Sequence, residues 1–413
     1  MNITRRSLLQ AALAMPVGAS LAHFEALAAP ARNQVKITAL KAMQTTGTGT
    51  IIRIETDAGI SGYGPCHGTG PYAREVLKEI ESNRGSGENL NLTGKDPLAI
   101  KVHFHNLFYA WAQRNRHIRI LSGVDIALWD LAGKILNVPV SKLLGGNFRE
   151  EIPLYSHCGH DGNFWDKVEW RDRAQKLKDD PAGFKAFKVD LNDAMGVMAR
   201  QFVPSIGPQD VRKIQLCYDL ARESFGSNID IIVHGHNELD LPSAVQVAAA
   251  VEQIKPIYFE DPIAPIYSDS WPVLHRTTRV PLLTGENIEL LEGALPFIQN
   301  QAVDCLQPDL IDSGGISAVK MMADLATAYR MPMCLHNVSG LLLNMACQQF
   351  AAAVHNVPMI ECARGSDKPR AAASNAPVIT NGKMRVSTLP GLGLDFDLDY
   401  LKGSLAPGET WWG

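Results

Sequence analysis

The sequence predicts an α/β fold in which a parallel (β/α)8 barrel follows a smaller α+β domain. From about residue 152 onward, eight short β-rich runs alternate with helical stretches, and eight such units close a barrel. Polar residues recur near the ends of these runs every 23 to 27 residues, about the length of one strand, one helix and two loops. An open doubly wound sheet is the alternative, but no G-x-G-x-x-G motif follows any of the runs.

The composition is that of a large globular protein. Of its 413 residues, 46% are apolar and 20% are charged, which allows a sizeable core and excludes wholesale disorder. The chain has 39 Lys and Arg against 43 Asp and Glu, so no basic surplus indicates nucleic-acid binding. Its seven cysteines form no C-x-x-C pair, which argues against a zinc finger or a thioredoxin-like site. We therefore expect an enzyme that acts on a small molecule.

The first 28 residues have the features of an export signal. Arg5 and Arg6 precede an apolar, Ala-rich stretch that ends in the A-x-A sequence of residues 26–28. The paired arginines indicate the twin-arginine route, so we expect a periplasmic protein whose mature chain begins near residue 29. No other run reaches the ~18 consecutive apolar residues of a membrane span, so no membrane association is expected after the signal is removed.

Residues 34–150 are predicted to form the α+β domain. Residues 35–64 alternate in the manner of strands, with a turn at residues 57–59. Residues 70–150 carry apolar side chains at the i, i+3 and i+4 spacing of helices, until the pair Gly145-Gly146 ends the pattern.

Residues 151–369 are predicted to form the barrel, and residues 370–413 are predicted to be irregular structure that packs back on the first domain. The eight β-rich runs of the barrel are residues 153–157, 184–190, 229–236, 256–261, 281–286, 303–308, 332–337 and 358–363.

Seven polar residues are expected to converge at one mouth of the barrel. Each lies near the carboxyl end of a predicted strand, and barrel active sites are built from those ends. We call these residues the strand-end set: Lys188, His234, Glu260, Glu286, Asp309, His336 and Glu361. Because residues i and i+2 of a strand face the same way, Asp190 should point with Lys188, and His236 with His234.

Several motifs at these positions resemble those of one family. The segment LSGVDIALWDLAGKILNVPVSKLLGG (121–146) and the shorter runs IRIETDAG, YFEDP, TGE, QPDL and PGLG are similar to the enolase superfamily, in its mandelate racemase/muconate-lactonizing branch. The resemblance covers residues 34–400. It implies a modified (β/α)7β barrel with an N-terminal α+β capping domain, completed by the C-terminal segment, and one Mg²⁺ in the barrel mouth.

The resemblance also implies roles for the strand-end set. Glu260 and Glu286 match two of the three metal-binding acids of the family, and His234 stands at the position of the first. Asp309 and His336 match the Asp–His base dyad, Glu361 the acid of the last strand, and Lys188 the first lysine of a K-x-K motif.

His236 narrows the expected reaction. The run VHGHNELDLPSA (233–244) resembles the Asp-x-His segment of acid-sugar dehydratases, in which the His protonates a departing hydroxyl. The resemblance therefore implies that a small carboxylate, a sugar acid, loses its α-proton through a metal-stabilised enediolate and then loses water. The product would be a 2-keto-3-deoxy acid, and relatives of this kind are commonly homo-oligomers.

Two positions depart from the family pattern. His234 replaces an acid. Imidazole is a poorer ligand for Mg²⁺ than for softer divalent ions, so the site could hold Mn²⁺ or another divalent ion in place of Mg²⁺. Asp190 replaces the second lysine of K-x-K, which argues against a racemase with two bases. An epimerase, a lactone cycloisomerase and a catalytically degraded periplasmic sugar-acid binder remain as alternatives.

Further residues are expected to contact the substrate. The capping domain offers His67 and Tyr72 in the loop GPCHGTGPY (64–72), and the loop MQTTGTGT (43–50) lies nearby in sequence. In the barrel, Asp190 ends one predicted strand and His160 follows another, so both are expected at the same mouth.

Overall fold

The computed structural model describes residues 35–82, 90–110, 114–362 and 372–412. The predicted signal peptide, residues 1–28, lies outside these residues, and its assignment stays a prediction. Within the described part of the chain, no helix is both long and apolar enough to cross a bilayer.

The chain begins with a three-stranded antiparallel sheet covered by helices. Its strands pair in the order β1-β2-β3. They are β1 (Ile37–Thr45), β2 (Gly49–Thr56) and β3 (Ser61–Cys66). The helices are α1 (Gly70–Ser82), α2 (Ile100–His105, continued by a π turn over Asn106–Ala110), α3 (Arg114–Ile135) and α4 (Val140–Leu143).

Glycines let the longest of these helices, α3, lie directly on β3. A Cβ atom at Gly62 would collide with the carbonyl oxygen of Ala127, and one at Gly64 with that of Gly123. The close approach is possible because neither strand position carries a side chain on that face.

Eight parallel strand positions then close a barrel. The strands pair in chain order from β4 to β9, and β10 pairs with β4. The strands are β4 (Glu151–His157), β5 (Ala186–Asp190), β6 (Asp230–His234), β7 (Tyr258–Glu260), β8 (Leu282–Thr284), β9 (Cys305–Leu306) and β10 (Ile360–Glu361). Between β9 and β10, the predicted run 332–337 pairs through single bridges, Leu306 with Met333, Asp309 with His336, and Leu335 with Ile360. These bridges complete the ring, so the predicted barrel architecture is confirmed.

Helices surround the barrel, and its core has two layers. The helices are α5 (Lys167–Lys178), α6 (Leu191–Met195), α7 (Pro208–Phe225), α8 (Leu241–Val251), α9 (Ser270–Thr277), α10 (Leu290–Gln299), α11 (Gly315–Ala328) and α12 (Leu341–Ala353). Between strands and helices lie large buried side chains such as Trp170 and Trp271. A smaller cluster that includes Tyr155, Ile232 and Leu283 fills the barrel interior. Side chains of strands alternate in direction, so one set faces the helices and the other faces the barrel axis.

The C-terminal segment contacts both parts of the chain. Strand β11 (Ile379–Thr380) forms a hairpin with β12 (Lys383–Arg385), and β12 pairs antiparallel with the first barrel strand, β4. The helix α13 (Leu398–Gly403) follows, and beyond it Glu409 forms an ion pair with Arg74 of the first domain. The segment thus packs on the first domain and also extends the barrel sheet.

A buried carboxylate joins the first domain to the barrel. Asp125 of α3 accepts hydrogen bonds from the backbone N–H of Ser317 (3.0 Å) and from its hydroxyl (2.6 Å), at the first turn of α11. The same hydroxyl accepts a hydrogen bond from the Trp129 indole N–H. Asp125 therefore satisfies an N–H group that the helix itself cannot satisfy.

Candidate active site

The structure brings the residues of the strand-end set together at one mouth of the barrel. The strands end on the same side because parallel strands joined by helices all run in one direction. A cavity of about 370 Å³ opens there. We call it the barrel cavity, and its polar lining includes Lys188, Asp190, His234, His236, Glu286, His336 and Glu361, together with Ser156, His157, His160 and Arg200.

Lys188 lies at the base of this site with no exposure to solvent. Its Nζ donates hydrogen bonds to Glu260 Oε1 (2.6 Å) and to Glu361 Oε2 (3.0 Å). Burial alone would lower the pKa of Lys188, but the two carboxylates outweigh burial and hold that pKa above its usual value. The lysine is therefore a permanent positive charge among the acids.

His336 contacts Asp309, the other residue of the predicted dyad. Its Nδ1 lies 2.8 Å from Asp309 Oδ2, while the other carboxylate oxygen of Asp309 accepts the backbone N–H of Ile311. The Nε2 atom of His336 is 3.1 Å from Glu286 Oε2. Burial lowers the pKa of His336, but Glu286, Glu361 and Asp309 together raise it to about 10.

His234, Glu260 and Glu286 form a group that fits a divalent cation. One ligand atom of each lies within 4.8 Å of the others, and all three residues are buried. Two atoms of the group, His234 Nε2 and Glu260 Oε2, are buried without a hydrogen-bond partner. Unpartnered buried acceptors are costly, and a cation between them would satisfy both. The residues present therefore fit a metal with mixed nitrogen and oxygen ligands.

His236 has its own carboxylate partner. Its Nδ1 is 3.5 Å from Glu238 Oε1, and its backbone N–H donates to Glu238 Oε2 (2.6 Å). Burial lowers the pKa of His236, but Glu238 and Asp190 raise it above its ordinary value. Asn237, between the two, adopts the left-handed conformation (φ 67°), which marks the turn where the strand ends.

Asp190 is surrounded by imidazoles. Its Oδ1 lies 2.6 Å from His157 Nε2 and 2.7 Å from His234 Nδ1, and His160 stacks on His157 with ring centroids 4.0 Å apart. Burial opposes ionisation of Asp190, but His234 and His157 hold the pKa of its carboxyl far below the usual range. Asp190 and His234, the two residues that depart from the family pattern, therefore contact each other.

The predicted contacts of the capping domain lie in a neighbouring cavity. His67 and Tyr72 line a space of about 390 Å³ together with Arg119 and Glu289. His67 bonds Asp312 through Nδ1 (2.9 Å) and Ser339 through Nε2 (2.5 Å), so it contacts the barrel loop that follows His336. The structure thus places these two residues beside the strand-end set and not among it.

Arg200 was not predicted from the sequence. It lies in the loop after α6, lines the barrel cavity, and places Nη2 3.5 Å from Glu286 Oε1. Its backbone N–H donates to Glu238. No spacing pattern marks it, because loop residues do not share the period of the strands.

Comparison with known families decides the ancestry of this site. Residues 26–145 match the family described as "Mandelate racemase / muconate lactonizing enzyme, N-terminal domain". Residues 169–400, more than half of the chain, match "Enolase C-terminal domain-like".

The chain belongs to the mandelate racemase/muconate lactonizing enzyme branch of the enolase superfamily.

Relatives of this enolase-superfamily chain include sugar-acid dehydratases. It is 29% identical over 369 residues to a D-xylonate dehydratase of Haloferax volcanii, covering 87% of this chain and 86% of that one. It is 28% identical to a D-galactonate dehydratase of Variovorax paradoxus, covering 88% and 92%. A solved structure of an enolase-superfamily member from Salmonella Typhimurium superposes with a TM-score of 0.79 at 26% identity, covering 91% of this chain and 98% of that one. The predicted family, fold class and enzyme nature are thereby confirmed.

Proposed function

We propose that this chain is a metal-dependent acid-sugar dehydratase, a hydro-lyase that converts a sugar acid to a 2-keto-3-deoxy acid. One observation carries the proposal: two imidazoles, His336 and His236, each with its own carboxylate partner, face the same cavity beside a cation-binding group. The dehydratase relatives, at 29% and 28% identity over most of the chain, support the same reaction class.

His336 is the proposed base. In the neutral ring the Nδ1–H donates to Asp309, which leaves the lone pair on Nε2, the atom that faces Glu286 and the cavity. A cation held by Glu286 would favour this neutral form, because it would offset the carboxylate charge that raises the pKa of His336. That nitrogen takes the proton from the carbon next to the substrate carboxylate, and the electron pair of the broken C–H bond forms the new C–C double bond. A positioned base of this kind contributes about 10²–10⁴-fold to the rate.

His236 is the proposed acid. It donates a proton to the hydroxyl leaving the neighbouring carbon, which departs as water, and the resulting enol becomes the ketone. Glu238 contacts Nδ1 of the His236 ring, and its negative charge favours the protonated form of that ring.

His234, Glu260 and Glu286 are the proposed metal ligands, with Mg²⁺, Mn²⁺ or another divalent ion as the cofactor. A cation there would withdraw electron density from a bound carboxylate and make the adjacent C–H bond more acidic. Lys188, fixed between Glu260 and Glu361, supplies further positive charge to the developing oxyanion.

Incubating the protein with a library of acid sugars in D₂O tests the proposal. A semicarbazide assay detects the 2-keto product and mass spectrometry detects exchange of the α-proton. We expect one or more sugar acids to give both signals. Exchange without a keto product would indicate an epimerase or cycloisomerase, and ligand binding with neither signal would indicate a binding protein.

Two variants divide the reaction. His336→Asn should abolish α-proton exchange, and His236→Asn should keep exchange but lose dehydration. His275→Asn is the matched control, because His275 also pairs with a carboxylate, Asp304 (3.2 Å), but lies outside the barrel mouth. Full turnover by His336→Asn would exclude His336 as the base.

Export to the periplasm is part of the proposal and rests on the sequence of residues 1–28. Cell fractionation of the full chain, and of a chain with Arg5→Lys and Arg6→Lys, tests it. We expect the changed chain to stay in the cytoplasmic fraction, and equal export of both chains would contradict the assignment.

A further inference from the structure

Asp190 and His234 form a buried pair on adjacent barrel strands. They are register partners in the β5–β6 ladder, and Asp190 Oδ1 is 2.7 Å from His234 Nδ1. Asp190 is 1% exposed and His234 is 6% exposed, so water does not compete for this contact.

The contact determines which nitrogen of His234 carries the proton. A neutral imidazole has one N–H and one lone pair, and a carboxylate can only accept. The proton therefore lies on Nδ1, and Nε2 presents its lone pair. That Nε2 is buried without a hydrogen-bond partner, 3.4 Å from Glu260 Oε1, which is also an acceptor. With Nε2 bare, a cation bound between these two acceptors would satisfy the imidazole nitrogen, since Glu260 Oε1 already accepts from Lys188 and has no proton to donate.

His157 lies on the other side of Asp190 and has the opposite arrangement. The backbone N–H of Gly159 donates to His157 Nδ1 (2.8 Å), so in the neutral ring Nε2 carries the proton. That N–H points at the same Asp190 Oδ1, 2.6 Å away. His157 thus donates to Asp190 and has no lone pair to offer a metal there. The trio His157, Asp190 and His234 is a hydrogen-bonded relay and not a second metal site.

We propose that Asp190 is a positioning residue that makes His234 a metal ligand through Nε2 and so shifts metal preference from Mg²⁺ toward divalent transition metals such as Co²⁺ and Zn²⁺. The inference rests on the cation site of the proposed function. A carboxylate behind a ligating imidazole fixes its tautomer and raises its basicity. One nitrogen ligand among carboxylates increases affinity along the series of divalent transition metals.

Metal binding to the stripped protein tests this role without an activity assay. Equilibrium dialysis against Co²⁺ or Mg²⁺ chloride, followed by elemental analysis, gives the affinities. Asp190→Ala should lose about 10–100-fold in Co²⁺ affinity, the usual cost of removing such a partner. Asp190→Asn retains an acceptor oxygen and should recover most of that affinity. His157→Gln, which removes the other donor to Asp190, is the matched control and should lose much less.

A double-mutant cycle separates orientation from charge. In a His234→Asp background no imidazole remains to be oriented, so Asp190→Ala should cost little Co²⁺ affinity, and the preference for Co²⁺ over Mg²⁺ should narrow. An equal loss in both backgrounds would show that Asp190 acts through its charge and would overturn the inference.

The tautomer can be read in the unaltered protein, which removes any dependence on the folding of variants. ¹⁵N NMR of histidine-labelled, metal-free protein, with the His234 signal assigned by comparison with His234→Asp, should show Nδ1 protonated and Nε2 bare. The opposite tautomer would overturn the inference alone. Absence of any divalent-ion binding by the wild-type protein would instead overturn the metal site of the proposed function, and this inference with it.

Discussion

Asp125→Asn is expected to change how the stability of the protein depends on pH. Asp125 is 1% exposed and joins the capping domain to the first turn of α11 through Ser317. Two effects compete at this carboxyl. Burial disfavours the charged form, and hydrogen bonds from Ser317 favour it. Burial prevails and raises the pKa of Asp125 to about 7.

The magnitude follows from that pKa. The ordinary pKa is 3.8, so the difference corresponds to about 4 kcal/mol at 1.36 kcal/mol per pH unit. Because the folded state holds the proton more tightly than the unfolded state, Asp125 contributes most to stability below pH 3.8, and this contribution is lost as the pH rises to about 7. An asparagine does not titrate. The free energy of unfolding of the variant, relative to that of the wild type, should therefore rise by about 1.4 kcal/mol per pH unit between pH 5 and 6.5 and level off above about pH 7.5.

Equilibrium unfolding in urea, followed by tryptophan fluorescence and circular dichroism across this pH range, measures the difference between the two proteins. Asp324→Asn, which removes an exposed carboxylate from the same helix α11, controls for the change in net charge. If the free energy of unfolding of Asp125→Asn relative to wild type fell as the pH rose, the hydrogen bonds at the helix N-terminus would outweigh burial in setting the pKa of Asp125. A difference that does not vary with pH would also refute the reasoning.

Three further predictions concern the site and the packing around it. Lys188→Met should destabilise the protein by about 3–5 kcal/mol, because Glu260 and Glu361 would be left buried without their common partner. A loss of less than about 1 kcal/mol in the free energy of unfolding, measured in urea, would contradict a role for Lys188 in neutralising these two carboxylates. Gly64→Ala should lower the free energy of unfolding by about 1–3 kcal/mol, because its new methyl group would collide with the α3 backbone. Gly403→Ala is the control, because open space surrounds that position and no such loss is expected. Equal melting temperatures of the two variants would contradict the close packing of β3 on α3. Chelation of divalent ions should lower the melting temperature, and restoring them at about 100 times their dissociation constant should return about 2.7 kcal/mol; a protein indifferent to both treatments would lack the proposed cation site.

The sequence determined the barrel and most of its site, because both follow from a local repeat. One strand, one helix and two loops take about 25 residues, so any residue type that recurs at that interval lies at the same end of successive strands. Lys188, Glu260, Glu286 and His336 were predicted together in this way, and the structure brings them together. The family motifs then supplied the expected chemistry.

The tertiary structure alone decided the contacts between residues without such a repeat. Asp190 and His234 are two separate departures along the chain, and only the register of β5 with β6 shows that one holds the other. Arg200 reaches Glu286 from a loop, and Asp125 reaches Ser317 across 192 residues. Spacing along the chain predicts at which end of the barrel a residue lies. A hydrogen bond needs its two atoms placed to within a few tenths of an ångström, and that placement is determined only when the whole chain packs.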